Sequence, residues 1–83
     1  MLTESQNIEF KESWRDEYQK WICGFANAQG GTLCIGLRDN GEVCGVQDAK
    51  KLMEDIPNKV RDMLGILVEV NLKEKDGKQY LEI

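Results

Sequence analysis

Along the chain, apolar positions switch between a period of two and a period near 3.6, and each switch marks an element boundary. Asn7-Ile8-Glu9-Phe10-Lys11 alternates polar and apolar, which predicts a first strand with Ile8 and Phe10 inward. Tyr18, Trp21, Ile22, Phe25 and Ala26 then recur at i, i+3, i+4, i+7 and i+8, one face of a helix. Ser13, followed by Asp16 and Glu17, has the character of an N-cap with acids suited to the helix dipole. The helix is expected from Trp14 or Arg15 to Ala28, closed by Gly30 in a left-handed conformation. From Thr32 the period returns to two: Leu33, Ile35 and Leu37 point one way, and Thr32, Cys34, Gly36 and Arg38 the other. Trp21 and Phe25 are expected to be buried against Leu33, Ile35 and Leu37, and this unit organises the core.

Asp39-Asn40-Gly41-Glu42 is a two-residue hairpin signal. Its register sets Leu37 opposite Cys44, Gly36 opposite Gly45 and Ile35 opposite Val46, with Cys34 and Cys44 on opposite faces. Asp48 can cap a second helical region whose stripe is Leu52, Ile56, Val60, Met63, Leu64 and Leu67. Pro57 interrupts it, so a kink or two short helices are expected, and Gly65 ends it. Val68, Val70 and Leu72 predict a one-sided strand, and Asp76-Gly77 turns it into a last strand from Lys78 to Ile83. The fold class is α+β: a small mixed sheet of four or five strands with two helical regions, ordered strand, helix, hairpin, helix, hairpin. Residues 1–83 are read as one domain. The strand pattern at Tyr80-Leu81-Glu82-Ile83 has no following loop, so the domain is expected to be the N-terminal part of a longer protein.

Composition narrows the function classes. Eleven basic against fifteen acidic residues give a net charge of −4, which opposes strong nonspecific attraction to phosphate backbones. No apolar run approaches the roughly 18 residues of a membrane span. Met1-Leu2-Thr3-Glu4-Ser5-Gln6 lacks the basic and apolar regions of a signal peptide, so a cytoplasmic location is expected. Cys23, Cys34 and Cys44, with no histidine, fit neither a zinc site nor a disulfide framework and read as reduced thiols.

Three blocks carry a resemblance: Glu4-Ser5-x-x-x-Glu9-Phe10-Lys11, then Phe25-Ala26-Asn27-Ala28-x-Gly30-Gly31-Thr32-Leu33-x-Ile35-Gly36-Leu37-x-Asp39-x-Gly41, then Val43-x-Gly45-Val46. Together they resemble the Alba-like domain of the Schlafen group, also called the divergent AAA domain. The resemblance implies a DNA-binding domain, in many bacterial relatives the opening domain of a transcriptional regulator with a C-terminal winged helix. Members that cleave RNA use three carboxylates, and the matching positions here are Glu4, Glu9 and Asp39. Clustered carboxylates bind hard divalent cations, so Mg²⁺ or Mn²⁺ belongs to this nuclease alternative alone. The residues by themselves favour solvated charges at Glu4 and Glu9 and a turn-starting role for Asp39.

The nucleotide-hydrolysis reading fails on spacing. A P-loop needs Gly-x-x-x-x-Gly-Lys-Ser/Thr between a strand and a following helix, whereas here the helix precedes the strand and no lysine follows Gly30. Gly30, Gly31 and Gly36 are therefore read as structural, a helix stop with a close backbone approach. For nucleic acid, Lys11, Arg15 and Arg38 are the candidate contacts, with weak or dimer-dependent binding expected because basic residues are interleaved with acids. A protein-interaction or oligomerisation module, with a homodimer as one form, using an unpaired sheet edge left by the expected truncation, is the remaining class.

Overall fold

The computed structural model describes residues 7–27 and 30–83. Four strands, β1 (Ile8–Lys11), β2 (Thr32–Ile35), β3 (Asn71–Lys75) and β4 (Lys78–Glu82), form one sheet in the order β1-β2-β4-β3. Two α-helices, α1 (Gln19–Asn27) and α2 (Ala49–Leu64), complete the α+β domain. The expected order of elements holds, apart from the first hairpin. β1 pairs parallel with β2, while β4 runs antiparallel to both β2 and β3. The parallel pair follows from the connection: a helix between two adjacent strands carries the chain back to the starting end of the sheet.

The helices cover one face. Leu33, Ile35 and Leu81 meet Ile22 of α1 and Ala49, Ile56 and Val60 of α2 in the main core. Trp21 and Phe25 pack against this cluster but stay half-buried, so they line its margin. A second cluster, Phe10, Cys34 and Leu37 with Ile8, Val43 and Tyr80 around it, lies on the other face of the sheet. Leu37 was expected beside Leu33 and Ile35. Gly36 moves it across: the Gly36 and Leu37 N–H groups both donate to the Lys11 carbonyl, at 2.7 and 3.1 Å. Two residues opposite one is a β-bulge, and it reverses the alternation from that point. Gly36 has φ of +104°, and a Cβ there would meet Tyr80 Cβ at 3.0 Å, so glycine is required twice over.

The glycine pair after α1 divides the labour as expected, with a helix stop at Gly30 and a close approach at Gly31. The Gly30 N–H donates to the Phe25 carbonyl at 3.1 Å with φ of +97°. Gly31 has an ordinary φ, but a Cβ there would fall 2.5 Å from the Phe25 ring and 2.9 Å from the Asn7 carbonyl oxygen. The start of the helical region differs from expectation. A 3-10 turn, Asp16–Tyr18, precedes α1, its N-cap is Arg15 rather than Ser13, and no side chain caps it. The expected last residue, Ala28, lies outside the described residues.

The first hairpin is looser than its Asn-Gly signal predicts. Gly41 N–H donates to Arg38 O and Arg38 N–H to Glu42 O, each at 2.8 Å, so the loop holds Asp39, Asn40 and Gly41. Gly41 takes φ of +87°, the left-handed residue of a three-residue loop. The extra residue shifts the register, so that Leu37 faces Val43 instead of Cys44. The Cys44 and Gly45 N–H groups still both donate to the Gly36 carbonyl, at 2.8 and 3.0 Å, and Val46 N–H then donates to Gln79 O on β4.

Pro57 sits inside α2 without dividing it. Its missing hydrogen bond costs about 3 kcal/mol, but Ile56 and Val60, both fully buried, pin the helix to the sheet on either side of the break. Asp48 precedes α2 with φ of +55° but makes no side-chain cap. Gly65 closes it with φ of +68°, its N–H on the Arg61 carbonyl. Met63 and Leu67, expected in the stripe, are 74% and 86% exposed. Asp76 and Gly77, at φ of +55° and +75°, form the two-residue turn joining β3 to β4. The last strand is interior, paired with β2 on one side and β3 on the other, so the open sheet edges are those of β1 and β3.

Candidate nucleic-acid interface

Register decides which side of the sheet each candidate occupies. Glu9 is level with Leu33 and Lys11 with Ile35, so both side chains rise on the helix-covered face. The Lys11 ammonium lies 4.9 Å from the centre of the Tyr18 ring and 5.4 Å from that of Trp21. Its Nζ is also 3.9 Å from a Glu9 carboxylate oxygen. A cation set against two ring faces and a carboxylate is already partnered within the domain. Lys11 therefore ties β1 to α1, and its charge is not offered to a ligand. Arg15, at the surface, is 3.7 Å from the Glu17 carboxylate. Arg38 is exposed at the first turn.

The carboxylate set does not assemble among the described residues. Glu4 lies outside them. Convergence of the three required β1 to run antiparallel to β2, carrying its start to the exit of β2. The observed pairing is parallel, so β1 begins beside Thr32, at the opposite end of β2 from Asp39. Glu9 engages Lys11, and Asp39 is exposed within the loop between Arg38 and Glu42. Among the described residues no three His, Cys, Asp or Glu side chains are grouped to hold a metal ion.

A different set is brought together, and sequence reasoning missed it. On the face away from the helices, Lys75 stands directly opposite Lys78, and Lys73 directly opposite Tyr80. Asn71 and Glu82 are the next pair along. All three lysines are exposed, and none makes an ion pair among the described residues. The acids nearest in sequence do not help: Glu74 points to the opposite face and Asp76 is in the turn. Like charges placed directly across a strand pair destabilise it, so Lys75 and Lys78 sit at a local cost that a bound anion removes. The signal was the alternation Lys73-x-Lys75-x-x-Lys78-x-Tyr80, read through a two-residue turn that keeps the faces in phase.

Apart from Glu82, the strand residues on the rest of this face are uncharged. Burial and the neighbouring Glu82 carboxylate push the Cys34 thiol up to about 11, so it stays protonated and unreactive. Burial, Glu82 and Cys34 raise Tyr80 above its usual value, so the ring beside the lysines is neutral. Glu82 is the one acid on this face of the described strands, at the end away from the turn. The positive potential is thus concentrated at the hairpin half.

Among the described residues no helix is long and apolar enough to cross a membrane. No solved structure matches the chain. The family model described as Schlafen, AlbA_2 matches residues 4–83, and with the match running over almost its whole length the chain belongs to the Schlafen AlbA_2 family.

Proposed function

We propose that this domain binds nucleic acid through the helix-free face of its β3–β4 hairpin, with DNA, in a transcriptional regulator, as the setting that the family resemblance implies. Domains of the family bind nucleic acids generally. The observation that carries the reading is the set Lys73, Lys75 and Lys78, exposed on one face without acidic partners among the described residues. A chain of net charge −4 binds phosphate only where its cations are segregated, and here they are. Three phosphate contacts make a weak site, micromolar or weaker at physiological salt, which two copies in a dimer would strengthen. Lys11 and Arg15, occupied by carboxylates and rings, contribute little; Arg38, at the first turn, is a peripheral contact.

Salt titration tests this. Binding of a mixed-sequence oligonucleotide, followed by fluorescence anisotropy, is expected to weaken with added salt. The triple variant Lys73→Gln, Lys75→Gln, Lys78→Gln is expected to reduce the log–log slope by roughly 2 to 3, at about 0.7 to 0.9 per phosphate contact. An unchanged slope in a folded triple variant would move the contact elsewhere. Absence of binding by the unaltered chain at low salt would remove the reading.

A further inference from the structure

We infer that the form of nucleic acid this face takes is a single strand, its phosphates along Lys73, Lys75 and Lys78 and an unpaired base stacked on Tyr80. The inference rests on the nucleic-acid reading above and adds to it the form of the ligand.

The lysines lie on pleated sheet, not on a protruding helix. Lys73 and Lys75 are two residues apart on β3, about 6.6 Å at a rise of roughly 3.3 Å per residue, which suits successive phosphates of an extended strand. Lys78 faces Lys75 across the hairpin, and Tyr80, two residues on, faces Lys73. The aromatic is thus flanked by cations on both strands. Base stacking on a sheet-borne aromatic needs a base whose face is free, which a duplex conceals and a single strand offers.

Tyr80 is held for this role from beneath. Its Cβ closes on the bulge at Gly36, 3.0 Å from where a Cβ would stand, and it packs beside Phe10, Cys34 and Leu37. The ring remains half-buried rather than covered. Its phenol stays neutral at physiological pH, so it adds no repulsion towards phosphate. Glu82, two residues beyond Tyr80 on the same face, repels phosphate and confines the backbone to the hairpin half. A small footprint results, near the lower limit of single-strand sites at about four nucleotides.

The experiment compares single-stranded DNA and RNA 12-mers with the duplex of the same sequence, by anisotropy at low salt on the full chain. Single strands are expected to bind about tenfold tighter than duplex. Tyr80→Leu is expected to lose about tenfold for single strands and nothing for duplex, with Tyr80→Phe restoring the difference. Duplex binding as tight as single-strand binding would overturn the inference while the nucleic-acid reading stands. A Tyr80→Leu chain that melts normally and keeps its single-strand preference would overturn the stacking. Failure of all three ligands to bind would instead remove the reading on which the inference rests.

Discussion

The two faces of the sheet use lysine beside an aromatic ring in opposite ways. On the helix-covered face, Lys11 lies against Tyr18, Trp21 and Glu9, and its charge is partnered inside the domain. On the other face, Lys73, Lys75 and Lys78 gather near Tyr80 with no acidic partner among the described residues, two of them opposed across the strands. The same residue types give an internal tie in one place and an unmet charge in the other. What separates them is the register of the neighbouring strand and whether a helix closes over that face.

Breaking the covered face should have the largest effect. Leu33, fully buried between the sheet and both helices, is expected to cost about 2–5 kcal/mol as Leu33→Ala. In a domain this small that is a large fraction of the total stability, and a thermal melt within a few degrees of the parent would contradict the packing described. Gly31→Ala comes next. Its new Cβ would overlap the Phe25 ring and approach the Asn7 carbonyl oxygen, which cannot swing aside, so a loss of about 1–3 kcal/mol is expected in denaturant unfolding. A neutral result would mean that the α1–β2 junction is looser than its geometry indicates.

The comparison itself is sharpened by two lysines. Lys11→Ala removes a cation held by two rings, and about 0.5–2 kcal/mol of stability is expected to go with it, with little change in oligonucleotide affinity. Lys75→Ala should show the reverse. Relief of the repulsion with Lys78 is expected to leave stability unchanged or raise it by about 0.2–1 kcal/mol, while affinity falls. Equal affinity losses from both variants would erase the distinction between the faces.

Local patterning made most of the elements legible. The alternation at Ile8 and Phe10, the 3.6 period through Trp21 and Phe25, and the Asp76-Gly77 turn each specify a structure within a few residues. Gly30 and Gly31 also gave their roles in advance, because a helix stop and a close approach are both local demands. What local pattern could not supply was pairing between distant segments. The parallel pairing of β1 with β2, which separates the start of β1 from Asp39, depends on where α1 delivers the chain. The crossing of Leu37 to the other face depends on a bulge at Gly36 that is invisible until Lys11 is seen opposite it. The lysine face was legible in principle: three lysines and a tyrosine share a face once Asp76-Gly77 turns the chain. Along the chain Glu74 and Asp76 intervene between these lysines, so the segregation of charge exists only face by face.

The most direct test maps the contact without any mutation. Titrating a single-stranded oligonucleotide into the ¹⁵N-labelled chain should shift the amide resonances of Lys73, Lys75, Lys78 and Tyr80 first and furthest, with Lys11 and Tyr18 nearly still. Shifts concentrated instead on β1 and α1, with the β3–β4 hairpin unmoved, would contradict the account.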